Sequence, residues 1–274
     1  MRLTRPITAL ALLFSIALGG CFLSKDLFER ERIWDPAWFG RYEAEGITFV
    51  VLPDDPTKRT YLVGSFESGA ASVDSYRAAL YPGWRDTFII GSITIGKNET
   101  RAVYTLLRSV GRDRFLPDWP DCSTEFAQTH NLPRDGDVCT LPSLEAVRTA
   151  LKTYADEKAD KPRDANLDPK ALDRRRDHPL STIGIMAKPG IANDSDGAHG
   201  ALTLLDVPAN SPAAQSGLKR GDVIFAVGDA RPAIGEELLL RIAAAEPGSE
   251  IAISFFDGKT RAKRQLNVRT AALQ

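Results

Sequence analysis

Between Thr182 and Thr270 the chain sets out an ordered series of turn, strand and helix signals that leaves little choice of fold. Thr182-Ile183-Gly184-Ile185 puts a glycine between two β-branched residues, where a loop can bend closely before a strand begins. Ser211-Pro212 and Gly217 bracket a short helix, with serine as cap, proline at the first position and glycine as stop. Gly221-Asp222 then turns into the apolar run Val223 to Val227. The strong helix formers from Ile234 to Ala245 end at Pro247-Gly248, and Asp257-Gly258 marks a tight turn between two final strands.

This order of pieces resembles a bacterial PDZ domain of the kind appended to periplasmic heat-shock serine proteases, and it covers about a third of the chain. The resemblance implies recognition of a chain terminus by two devices. A loop around Gly184 would turn its amides toward a carboxylate, with Ile183 and Ile185 lining an apolar cup and Thr182 also among the peptide-binding residues. The strand continuing through Met186 and Ala187 would offer a free edge to which the ligand adds as a strand. Gly235, Leu239 and Ile242 follow i, i+4, i+7 spacing and would line the opposite wall, with Leu238 toward the core; the plainer alternative is that all these leucines are core. Such a pocket suits apolar terminal side chains.

The chain opens differently. Arg2 and Arg5 precede the apolar run Ile7 to Leu18, which is too short to anchor as a span, and Leu18-Gly19-Gly20-Cys21 is similar to a bacterial lipobox. On that reading residues 1–20 are a signal peptide, Cys21 carries the acyl chains that hold the protein to the membrane, and residues 21–32 are a tether. An ordinary secretory signal is the alternative. By family analogy Phe22, rather than Asp, after the cysteine favours the periplasmic face of the outer membrane. Cys122 and Cys139 then remain as a pair 17 positions apart in an oxidising compartment. A disulfide there would contribute about 3 kcal/mol in the chain-entropy account. A metal site is the competing reading, with only His130 between the two thiols.

From Gly40 to about Val110, β-rich runs such as Ile47 to Leu52, Tyr61 to Val63, Phe88 to Ile90 and Ala102 to Leu107 alternate with Pro, Gly and Asn turns. The expected fold is mostly β with some α. A small antiparallel sandwich or barrel spans residues 33–161 and ends in a helix capped by Ser143, with Leu144, Val147, Leu151 and Tyr154 as its buried stripe. A charged linker, 162–178, leads to the PDZ-type unit, 179–272; within it Arg174 to Arg176 are either solvated or positive charge for the peptide pocket.

A formal net charge of -1 and a pI near 6.3 give no electrostatic case for nucleic acid. No phosphate-cradling loop, metal constellation or cofactor fingerprint stands out. His130, His178 and His199 lie in settings unlike a serine protease triad, and Gly64-Ser65 and Glu67-Ser68-Gly69 lack a nucleophile's context, so the chain is expected not to be an enzyme. Three functions remain open: a lipid-anchored envelope protein that binds C-termini or β-segments of periplasmic partners, a packing subunit whose groove is filled by its own tail or first domain, and a protease-associated regulatory subunit.

Overall fold

Turn chemistry and alternation shape the N-terminal half. Ile47 and Phe49 are buried on one face of β3 (Ile47–Asp55) and Val50 and Leu52 on the other, and the turn before it uses Glu45 and Gly46, both at positive φ (49° and 79°), the geometry that matches strand twist in a two-residue hairpin. The computed structural model describes residues 22–24, 27–67, 73–95, 101–118, 120, 122–136, 138–158, 171–195 and 197–273. Residues 1–20, Cys21 and most of the expected linker lie outside that set.

The strands of this half are β1 (Phe22–Ser24), β2 (Gly40–Ala44), β3 (Ile47–Asp55), β4 (Thr60–Glu67), β5 (Asp74–Pro82), β6 (Thr87–Thr94), β7 (Ala102–Ser109), β8 (Arg114–Asp118), β9 (Arg134–Asp135), β10 (Val138–Thr140) and β11 (Leu172–Arg174). They run in the order β6-β5-β4-β3-β2-β11-β8-β7, and β7 pairs back onto β6. Eight strands therefore close into a barrel, and closure removes the free edges that an open sheet would expose. The mostly-β fold with an antiparallel barrel agrees with the expectation from sequence. Helix α1 (Thr124–Thr129) and helix α2 (Leu144–Lys158) lie at its side. Ser143 Oγ accepts the Ala146 amide at 3.1 Å, and Leu144, Val147, Leu151 and Tyr154 are all buried, as their spacing predicts. Cys122 and Cys139 are disulfide-bonded in the same cluster, with Cα atoms 5.8 Å apart.

Two segments differ from the sequence reading. Residues 22–24 are a strand rather than a tether: Phe22 is fully buried, packs on Phe126 and pairs with both β7 and β10. Arg32, the last residue of the expected tether, is buried and donates to the carbonyls of Leu27, Phe28 and Lys58 at 2.7–2.8 Å. Likewise β11 inserts between β2 and β8 and completes the barrel, so this end of the expected linker is structural. The arginines that follow turn to the barrel instead of to a peptide pocket. Arg174 donates to Phe39 O at 2.6 Å, Arg175 pairs with Glu43 and Asp177, and Arg176 reaches Asp113 at 2.7 Å.

Inside the barrel an apolar cavity of about 90 Å³ remains. Each of the eight strands sends at least one side chain to it, among them Tyr42, Val51, Val63, Ala78, Phe115 and Leu172. Unfilled space of that size costs roughly 2 kcal/mol relative to a packed core. Burial pushes the Tyr42 hydroxyl up to about 12.

The C-terminal half contains β12 (Ser181–Thr182), β13 (Met186–Asp194), β14 (Gly197–Asp206), helix α3 (Pro212–Gln215), β15 (Val223–Val227), helix α4 (Gly235–Ala244), β16 (Glu250–Phe256), β17 (Lys263–Arg269) and β18 (Ala271–Ala272). β13 to β17 form one antiparallel sheet in sequence order, and β12 pairs with β18. One side of α4 joins the core of this unit through Leu238 and Ile242. Another side packs on the outside of the barrel, where Leu240 and Ala243 meet Val50, Leu52 and Leu62. Gly64 on β4 admits this contact, since a Cβ there would lie 2.8 Å from Leu240 Cδ1.

Arg41, buried on β2, crosses the junction. Its guanidinium donates to the Ala244 carbonyl at the end of α4 and to Glu246 at 2.6 Å. A cation at a helix C-terminus satisfies orphan carbonyls and opposes the helix dipole. Arg41→Ala is expected to lower unfolding free energy by about 2 kcal/mol in urea titrations, the scale of charge-assisted hydrogen bonds lost without replacement. The Arg41 guanidinium, and next the contact with His178, hold the Glu246 carboxyl below its usual range. A depressed folded pKa adds stability above the unfolded value and loses it as pH falls. Glu246→Gln should therefore destabilise the protein at pH 7, with the difference from wild type vanishing well below about pH 4; stability measured across pH 2–7 checks this.

Candidate functional site

Gly184 lies where the chain leaves β12 and enters β13. Its φ is +68°, and a Cβ there would fall 2.6 Å from Ser211 Cβ, so both dihedral and space favour glycine. Thr182 Oγ1 accepts the Gly184 amide at 2.9 Å, and the Ile183 carbonyl accepts from Ala213 at 2.9 Å. The loop is thus tied to itself and to α3. Ser211 caps that short helix, its Oγ accepting from Ala214 at 3.1 Å.

The residues expected to form a cup divide between core and surface. Ile183 is fully buried, while Ile185 and Ala187 are half-buried against the same cluster, with Leu239 of α4 beside them. Met186, between them, is 61% exposed. Leu239 also touches the cluster shared with the barrel, and Ile242 is buried. Gly235 is closed off: a Cβ there would lie 2.2 Å from Ala201 O and 2.9 Å from Gly190 N. Its role is the close approach of α4 to β13 and β14. The structure thus brings Ile185, Ala187 and Leu239 together as a partly open apolar surface over Ile183 and Ile242, and places Gly235 against backbone.

β13 is an outer strand, and its partner reveals which backbone groups it leaves outward. Leu204 donates to Asp222 O and accepts from Gly221, both at 2.9 Å, and Gly200 donates to Pro232 O at 2.7 Å. These groups on β14 point away from β13. In an antiparallel ladder the residues opposite such positions direct their own groups to the far side. Ala187 faces Leu204 and Ile191 faces Gly200, so the N–H and C=O of both turn to the free edge. Pro189 lies midway in the same phase and has no N–H to give, the placement proline takes on edge strands. Sequence reading found the edge but not this gap, although Pro189 was its visible signal.

Asp194 and His199 form a second polar grouping, at the far end of the β13–β14 hairpin. His199 Nδ1 is 3.8 Å from Asp194 Oδ1, and both side chains are buried. Lys263 and Arg231 approach the same carboxylate and lie over the Phe225 ring at 5.1 and 5.4 Å. His178 instead joins Asp177 and Glu246 at the junction with the barrel, and His130 contacts Glu157.

No family model and no curated protein matches the chain. Solved structures similar to it include the HtrA-type protease AlgW with decapeptide, at 12% identity over 86% of this chain and 64% of that one, with TM-score 0.32. The serine endoprotease from Yersinia pestis matches at 14% identity over 89% and 67%, with TM-score 0.30. The photosystem II D1 C-terminal processing protease matches at 14% over 55% and 37%, with TM-score 0.28. The chain spans about three-fifths of the length of the first such structures. The expectation of a non-enzymatic chain is corrected to this extent: the solved structures similar to it are proteases. At 12–14% identity they assign no residue a catalytic role.

Gly235→Ala is expected to cost at least about 2 kcal/mol, because the added methyl meets backbone that cannot yield. Gly190→Ala, with open space around its Cβ, provides the contrast and should cost less than half as much. Chemical denaturation of the two variants checks the difference.

Proposed function

We propose that the C-terminal unit binds the free C-termini of other proteins, in the manner of the PDZ domains its sequence resembles. The observation that carries this reading is the free edge of β13, leading directly out of positive-φ Gly184 beside half-buried Ile185, Ala187 and Leu239. An incoming strand would bond to Ala187 and Ile191 and set its last side chain over Ile183, against Leu239. Its carboxylate would meet the amides of the Gly184 loop, exchanging with the Thr182 hydroxyl at the Gly184 N–H. With no basic residue among these side chains, the preferred terminus is apolar. Pro189 withholds the donor between the two bonding residues, so the ladder is short and the recognised tail is only a few residues long. Affinities near the micromolar range suit such a contact.

Fluorescence anisotropy with the full chain and labelled peptides ending in Val, Leu or Phe tests this. Free-acid peptides should bind, amidated ones should bind at least tenfold more weakly, and Ile185→Lys should reduce binding to a similar degree. Equal binding of amidated and free-acid peptides would sink the proposal.

The same reading places the protein at the periplasmic face of a bacterial outer membrane, held by acyl chains on Cys21. Phe22–Ser24 is buried against the outside of the barrel beside α1, so the lipid would attach with no spacer and the barrel would lie close to the bilayer. Labelling in cells with an alkyne fatty acid should mark the wild type and fail in Cys21→Ser; equal labelling of the two would refute it.

A further inference from the structure

The barrel lumen is independent of the β13 edge and carries a second site. Its lining is wholly apolar, although two tyrosines contribute to it. Both hydroxyls are committed elsewhere: Tyr42 donates to Trp38 O at 2.9 Å, and Tyr61 donates to Ile33 O at 3.2 Å and accepts from Asp35 at 3.0 Å. No polar atom of the described residues faces the lumen, and apolar space of this kind stays dry and takes up apolar molecules. The strands supply the room through small side chains, most clearly Ala78 of β5, where a larger residue would have met its neighbours across the barrel, while Ala79 turns to the opposite face. An eight-stranded barrel is at the size where the interior is either filled by its own side chains or holds one small ligand.

One end of the lumen has a distinct closure. Pro36–Trp38 forms a single turn of 3-10 helix outside the barrel strands, capped by Asp35, whose carboxylate accepts the Ala37 amide at 2.8 Å. It lays the half-buried Trp38 ring between Phe115, at 4.6 Å, and Phe88, at 5.3 Å. This plug is held by ring contacts, one short turn and the Tyr42 hydroxyl bond to the Trp38 carbonyl, outside the barrel's backbone hydrogen-bond ladder.

We propose that the lumen binds the uncharged hydrocarbon end of a ligand, entering beside Trp38. A cavity of about 90 Å³ accepts less than the benzene held by one of about 150 Å³, so the group that fits is a short alkyl end. Two sources share that chemistry: a free small hydrocarbon, or the tip of a longer acyl chain whose remainder stays outside.

The test uses the purified full chain and brominated quenchers of tryptophan fluorescence. Bromoethane, smaller than benzene, should quench saturably, with a midpoint on the order of 1 mM, the affinity a ligand of roughly three heavy atoms can reach. Ala78→Leu should fill the lumen, raise the melting temperature and make the quenching linear in concentration. Methyl NMR on the unmutated protein needs no variant to fold: shifts on adding the same probe should be confined to lumen-lining residues such as Val51, Val63, Leu80, Ile90, Leu107 and Leu172. Saturable quenching by 12-bromododecanoate as well would identify the tip of a longer chain as the ligand, whereas saturation by bromoethane alone would identify a free small molecule. Linear quenching by both probes, with no confined methyl shifts, would overturn the proposal. Peptide binding at β13 is unaffected by either result, so the two readings fail separately.

Discussion

Helix α4 is gripped from two directions, and the arrangement of the two halves follows from that grip. Leu238 and Ile242 bind it to its own sheet, while Leu240 and Ala243 bind it to the outside of the barrel. Apolar contact of this kind is strong but has little directional preference. Direction comes from the buried guanidinium of Arg41, which meets the last carbonyls of the helix and a carboxylate just beyond them. A slide of α4 along the barrel would leave the buried charge unpaired, which costs far more than the ion pair gains when formed.

The parts legible in the sequence were those with local signals. Helix α2 was marked by its cap and its apolar spacing, and the turns of the C-terminal unit by glycine, proline and aspartate. The Cys122–Cys139 pair was marked by the cysteine count and by the short stretch of chain between the two. Elements fixed by distant partners gave weaker signs. β5 contains Ala78 and Ala79, residues that strands seldom favour, and it is held between β4 and β6 by the ladder rather than by propensity. β11 is only three residues in a charge-rich stretch, and its strand character arises from the gap it fills between β2 and β8. β1 is similar: Phe22 and Leu23 are apolar, but their burial depends on β7 and β10 from far along the chain.

The candidate site shows the same division. Gly184 was legible because a positive-φ turn favours glycine whatever surrounds it. Gly235 was misplaced because the i, i+4, i+7 pattern reports a helix face and not what that face meets, here the backbone of β14. The lumen left no motif at all. It is the sum of side chains from eight strands, each ordinary on its own, and only closure of the sheet converts them into an interior.

The bracing of α4 has a mechanical corollary. Where a recognition helix rests only on its own sheet, it can swing outward to admit a bulky guest. In this protein the outward path is blocked by β3 and β4, whose side chains already touch Leu240. Anything lodged between α4 and β13 meets a gap of set width, so large terminal groups are turned away by steric limits rather than by chemical distaste.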